Sequence, residues 1–246
     1  MSFHPRRLAA IATVALVLPA ATHAQLIPGF TSNFQNGTTQ GWFTGGGPMG
    51  GGGIGPFNVA GGGRGGPLDS YMLMMAIGGS GSGNRLTASN ASTLAGNYLA
   101  ASIMGIGMWV NNFSATDLYL RLAFEDPDLS GGTPPTNLAF STNAIFLPAG
   151  SGWTQVFFPT GLSHLTAGLG TTAAAMANVT FMRLYHSQSA NFPNPVNPIT
   201  PITAQLGVDD ITATATPEPA TLLLVGTGLV GLAGAARRRK RGTERT

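Results

Sequence analysis

The chain has 246 residues, a formal charge of +3 and no cysteine, and only 9% of its residues are charged. The missing thiols exclude disulfides, cysteine–metal clusters and thiol catalysis. The positive balance lies at the two ends. Between residues 25 and 216 the cations Arg64, Arg85, Arg121 and Arg183 are outnumbered by Asp69, Asp117, Glu125, Asp126, Asp128, Asp209 and Asp210. That body is net acidic and lacks the clustered cations of a nucleic-acid groove, so no nucleic-acid partner is expected.

The N-terminus reads as a secretory signal peptide over residues 1–24. Arg6 and Arg7 precede an apolar run from Leu8 to Leu18, broken only by Thr13; Pro19 ends it, and Thr22-His23-Ala24 supplies small residues for cleavage after Ala24. This signal helix is too short to span about 30 Å of hydrocarbon.

Residues 25–216 read as strands. In chain order the candidates are Ser70–Ile77, Arg85–Ser89, Tyr98–Val110, Leu118–Glu125, Thr142–Pro148, Trp153–Pro159, Val179–Ser187 and Ala204–Ala215. The clearest alternation places Leu118, Leu120, Leu122 and Phe124 on one face and Tyr119, Arg121, Ala123 and Glu125 on the other, as in a half-buried strand. The stretch Tyr98–Val110 is apolar on both faces, which suits a central strand, and Gly105 and Gly107 mark a bulge or a close approach. A short helix is expected within the Ala-rich stretch Thr166–Asn178. Two long loops interrupt the strands: a Gly-rich one, 44–67, expected to be mobile, and a Pro-rich one, 187–203, expected to be extended and stiffer. The pattern predicts an all-β chain: a single antiparallel β-sandwich, with a signal helix before it and an apolar helix after it.

Few residues carry obvious chemistry. No H-x-x-x-H or H-E-x-x-H spacing occurs, and the serines of Gly78–Gly83 do not fit a nucleophile elbow. Gly45, Gly47 and Gly50 match G-x-G-x-x-G without a strand-to-helix context. Asp126, Asp128 and Ser130 imitate a calcium loop, but its twelfth position is Asn137 rather than a bidentate Glu. Glu125 and Asp126 point to opposite strand faces, so they do not make a glycosidase pair. Among the aromatics, Tyr119 is the expected exposed ligand contact, because it lies opposite the leucine face; Trp109 and Trp153 read as core or rim residues.

The segment Asn33–Trp42 (NFQNGTTQGW) resembles the opening strand and turn of carbohydrate-binding-module-like jelly rolls, and GWTQVFFP and LGVDDITA resemble their later strands. The resemblance implies a jelly-roll body. It also implies a structural calcium held by Asp209 with groups from the opening strand, where Asn33, Gln35 and Asn36 replace commoner carboxylates. From the residues alone, Asp209 and Asp210 equally well end a strand facing water or cap a turn.

At the C-terminus, Pro217-Glu218-Pro219 precedes an apolar Gly-rich run, Ala220–Ala236, and then the basic cluster Arg237, Arg238, Arg239, Lys240 and Arg241, with 242–246 as a tail. A helix of that run reaches about 25 Å, marginal for a bilayer. The three features in this order resemble the PEP-CTERM sorting signal, here over 217–241. The resemblance implies membrane contact through 220–236 before processing and an exosortase-type protease as partner. It places the protein in the envelope, outer surface or extracellular matrix of a Gram-negative bacterium. The expected role is a non-catalytic exported surface or matrix protein associated with exopolysaccharide or biofilm. The alternative is a carbohydrate-binding module for a specific glycan, and an enzyme acting on glycans stands behind both.

Overall fold

The computed structural model describes residues 26, 28–44, 54–79, 84–126, 135–189 and 201–216. In chain order these form β1 (Thr31–Ser32), β2 (Trp42–Phe43), β3 (Phe57–Val59), β4 (Tyr71–Ile77), β5 (Thr87–Asn90), β6 (Ile103–Asn112) and β7 (Leu118–Asp126). They continue with β8 (Asn137–Ser141), β9 (Ile145–Leu147), β10 (Trp153–Pro159), β11 (Leu165–Leu169), a helix α1 (Thr172–Ala177), β12 (Phe181–His186) and β13 (Thr203–Ala215). One sheet runs β10-β6-β13-β4-β3, with β1 added against β13. The other runs β11-β8-β7-β12-β5-β2, with β9 added against β7. Every pairing is antiparallel.

The sheets meet through the inward residues of their central strands. Met72, Met74, Ile106, Met108, Val110, Leu206 and Val208 of the first sheet share one core with Leu118, Leu120, Leu122, Phe124, Met182 and Leu184 of the second. Each side chain of this size contributes roughly 1.5–3 kcal/mol by leaving water. The expected sandwich is therefore present, and β6 is the interior strand that its two apolar faces imply, lying between β10 and β13.

Three expectations are corrected. Beyond Tyr119, the second face of β7 is not solvent-facing: Arg121, Ala123 and Glu125 are all buried. Ala123 packs with Leu138, Phe140 and Tyr185; Arg121 donates to the carbonyls of Ser141, Thr142 and Ser187; and Glu125 pairs with Arg183. The short helix expected within Thr166–Asn178 is present as the six residues of α1, which Thr171 caps by accepting the Ala174 N–H. The residues before it pair with β8 as strand β11 instead, because an edge strand was available to complete their backbone hydrogen bonds. Strand β8 itself has no counterpart among the expected strands, and the candidate Thr142–Pro148 contracts to β9. Finally, residues 54–67 of the Gly-rich stretch are not a featureless loop. They hold β3 and a turn in which Gly62 N–H donates to Gly66 O, Gly66 N–H to Gly63 O and Gly63 N–H to Asp69 O. The signal peptide with Ala24, residues 45–53, most of the Pro-rich loop and everything from Pro217 onward lie outside the described residues.

Candidate functional site

The outward face of the first sheet is built from the residues that alternate with its core. On β6 these include Gly105, Gly107 and Trp109; on β10, Gln155 and Phe157; on β13, Thr212 and Thr214 beyond a bulge at Asp210. Trp109 lies between Gln155 on one neighbouring strand and Asp209 on the other. The two glycines leave β6 without side chains where Phe157 crosses it, so the ring rests on the sheet: a Cβ at Gly105 would stand 2.2 Å from it. Phe157 keeps 48% of its surface exposed. The result is a groove of about 770 Å³, floored by Trp109 and Phe157 and edged by Thr31, Gln155, Thr212 and Thr214.

One wall of the groove is charged. The guanidinium of Arg64, from the turn after β3, sits 5.4 Å from the centroid of the Trp109 ring. Its Nε donates to Asp210 in an ion pair, and its backbone N–H donates to Asp209 Oδ2 at 3.3 Å. Asp210 adopts φ 47°, and its own N–H donates to Asp209 Oδ1 at 2.8 Å. Asp209 is buried, 1% exposed. Burial pushes its carboxyl up to about 7; the two N–H donors oppose the shift and the carboxylates of Asp210 and Asp69 add to it.

Next to the groove, three rings converge over Gly207: a Cβ there would meet Phe113 at 2.8 Å, Trp153 at 3.0 Å and Tyr71 at 3.3 Å. Trp153 meets Tyr71 at 79° and Phe113 at 88° between ring planes. These edge-to-face contacts make a packed aromatic cluster rather than a flat platform. The Trp153 indole N–H donates to Gly62 O at 3.1 Å, so the cluster also holds the glycine-rich turn against the sheet.

The site residues expected from sequence divide between the two sheets. Tyr119 is half-buried on the outer face of the second sheet, its ring 5.2 Å from that of Phe146 and its N–H donating to His186 Nδ1. It cannot share one ligand with Trp109 on the opposite side of the sandwich. Asp209 does lie beside the groove. Trp153 is a half-buried rim residue as expected, and so is Trp109, which now floors the groove. Arg64, Gln155 and Phe157 were not singled out; the pairing of two glycines on β6 with the aromatic end of β10 was the available signal.

The donor set around Asp209 does not suit calcium, a hard cation that takes six to eight oxygens. Both Asp209 oxygens accept backbone N–H groups. From the opening segment, the Gln35 amide nitrogen donates to Asp69 Oδ1 at 2.6 Å, and Asn36 Oδ1 accepts Thr38 N–H. Among the described residues no group of three His, Asp or Glu side chains could hold a metal ion.

The chain carries a PEP-CTERM protein-sorting motif at residues 215–240. The motif marks an exported, envelope-targeted protein of Gram-negative bacteria and processing by exosortase. Curated proteins yield no match. Among solved structures, an exo-beta-agarase is similar over 78% of this chain and 26% of its own, with a TM-score of 0.52 and 8% identity. This likeness concerns the sandwich fold. A family 11 carbohydrate-binding module from Clostridium thermocellum, solved with a beta-1,3-1,4-mixed-linked tetrasaccharide, is similar over 65% of this chain and 82% of its own (TM-score 0.41, 12% identity). A non-crystalline cellulose specific module, CBM28, is similar over 80% of this chain and all of its own (TM-score 0.45, 10% identity). Among the described residues no helix is long and apolar enough to cross a membrane, and the expected span 220–236 lies outside them.

Proposed function

We propose that this is a non-catalytic glycan-binding protein of the cell envelope, with the groove over Trp109 and Phe157 as its binding site and an extracellular polysaccharide as its ligand. The observation that carries the reading is the combination of Phe157, resting on a glycine floor and half exposed, with amide and hydroxyl groups at the groove's edge. Sugar rings need both: an apolar face to stack on and donors and acceptors around it. A catalytic role fits less well. Hydrolysis of a glycoside calls for two carboxyl groups flanking one bond; the groove offers Asp210, already paired with Arg64, while Asp209 is buried beside it. Export through the sorting motif supports a role in exopolysaccharide or biofilm matrix.

Native electrophoresis of the full chain through gels containing neutral β-glucans, agarose or the organism's own exopolysaccharide tests the reading. At least one polymer should retard the wild type, and Phe157→Ala should run without retardation. Equal mobility of both proteins in every gel would contradict it.

A further inference from the structure

The polar junction behind the groove joins three segments far apart in sequence. Asp69 accepts Gly65 N–H on Oδ2 at 2.5 Å and the Gln35 amide on Oδ1, tying the opening segment to the glycine-rich turn. Asp209 accepts the Arg64 and Asp210 N–H groups, tying that turn to β13. Asp210 pairs with the Arg64 guanidinium, while Asp209 and Asp69 accept the backbone N–H groups of Arg64 and Gly65. The cation of this junction is therefore the Arg64 side chain. Its stem is anchored by the backbone hydrogen bond to Asp209, and its planar head rests over Trp109.

A divalent ion entering this junction would face Arg64 at close range and would have to displace the N–H donors on Asp209. We propose that Arg64, paired with Asp210 through its side chain and with Asp209 through its backbone, takes the place of the calcium expected at Asp209 and pins the glycine-rich turn over the groove without a metal. This junction is then calcium-independent, and the turn is clamped to the closing strand by a covalently attached charge. The inference does not depend on what the groove binds.

The test is the thermal midpoint of the full-length protein, measured with 5 mM calcium (about the upper range of extracellular affinities) and with chelator. Wild type and Arg64→Lys, which both keep the cation, should show the same midpoint in both conditions. Arg64→Met should melt about 3–6 °C lower in both conditions, and Arg64→Met/Asp210→Asn should recover at least half of that loss, because the carboxylate left without its cation is gone. If Arg64→Met fails to fold, the double variant gives the same readout. A wild-type midpoint that rises with calcium, or a double variant no more stable than Arg64→Met, overturns the proposal.

Discussion

The ring of Phe157 lies on the backbone of Gly105: a Cβ built on that glycine would stand 2.2 Å from the ring and 2.6 Å from the Phe158 carbonyl oxygen. The second contact is with backbone and cannot be relieved by a rotamer change. Gly105→Val should therefore push β10 away from β6 and lift Phe157 off the floor of the groove. The expected cost is about 1–3 kcal/mol, as for other overpacking changes, read as a lower midpoint in urea. Retardation by polysaccharide should fall with it. Gly161, with φ −57° and only an ordinary contact, 3.4 Å to His164, for an added Cβ, supplies a control outside the groove.

A buried ion pair braces the second sheet. Glu125 Oε1 accepts Arg183 Nη2 at 2.7 Å and Nε at 3.1 Å, and the Glu125 side chain is almost wholly enclosed. Removing the arginine alone leaves a carboxylate in low dielectric. Arg183→Met should cost about 3 kcal/mol in urea unfolding. The double variant Arg183→Met/Glu125→Gln should recover a large part of that loss. A double variant no more stable than the single one would show that packing on Phe181, over which the guanidinium sits at 4.9 Å, is the larger contribution.

Two buried groups give the stability opposite pH slopes. Burial depresses His186 to about 4, and its Nδ1 accepts the Tyr119 N–H, so it is neutral in the fold. Its contribution is complete above the unfolded value near 6.5 and is lost as pH falls through about 4. Asp209 is raised from 3.8 to about 7, so its contribution is complete below 3.8 and is lost as pH rises through about 7. The slopes oppose each other between 4 and 6.5, and above 6.5 only the Asp209 loss remains. Each is limited to about 1.4 kcal/mol per pH unit. Denaturation midpoints should therefore decline between pH 6.5 and 8 in the wild type and stay level in Asp209→Asn.

The fold was largely legible because its central strands are long and strongly patterned. Trp153–Pro159 is β10 residue for residue, and the Leu118–Phe124 set faces the core as its alternation requires. Strand β8 was hidden because Asn137–Ser141 is short and mixes one aromatic with small and polar residues. Local composition favoured helix at Thr166–Asn178, and only the edge of β8 made strand the better use of its first residues. The groove was less visible. Alternation places Trp109 and Phe157 on one face of neighbouring strands, yet β6 is apolar on both faces, so nothing local said which face was outward. Arg64 was the hardest residue to foresee. It stands in a glycine-rich stretch, and its partner Asp210 lies 146 residues away, a contact that only the assembled sheet creates.

The sorting motif makes a prediction about the mature chain. Mass spectrometry of the protein recovered from its native envelope should find an N-terminus at Gln25 and a C-terminus near Pro217–Pro219. Replacing Arg237, Arg238, Arg239, Lys240 and Arg241 with Ser should leave uncut chain in the membrane fraction. Wild-type protein recovered with residues 217–246 intact would remove exosortase processing from its biogenesis.

Glycan binding by the groove is decided by calorimetric titration of the polymer that retards the wild type. Four proteins are compared: wild type, Trp109→Ala, Phe157→Ala and Tyr119→Ala. Loss of one stacking ring is expected to cost about 1–3 kcal/mol, by analogy with other ring-on-aromatic contacts, or roughly five- to 150-fold in Kd. Trp109→Ala and Phe157→Ala should weaken binding by that factor, while Tyr119→Ala, on the opposite sheet, binds like wild type. Unchanged affinity in both groove variants, with loss in Tyr119→Ala, would move the site to the other face and contradict the assignment.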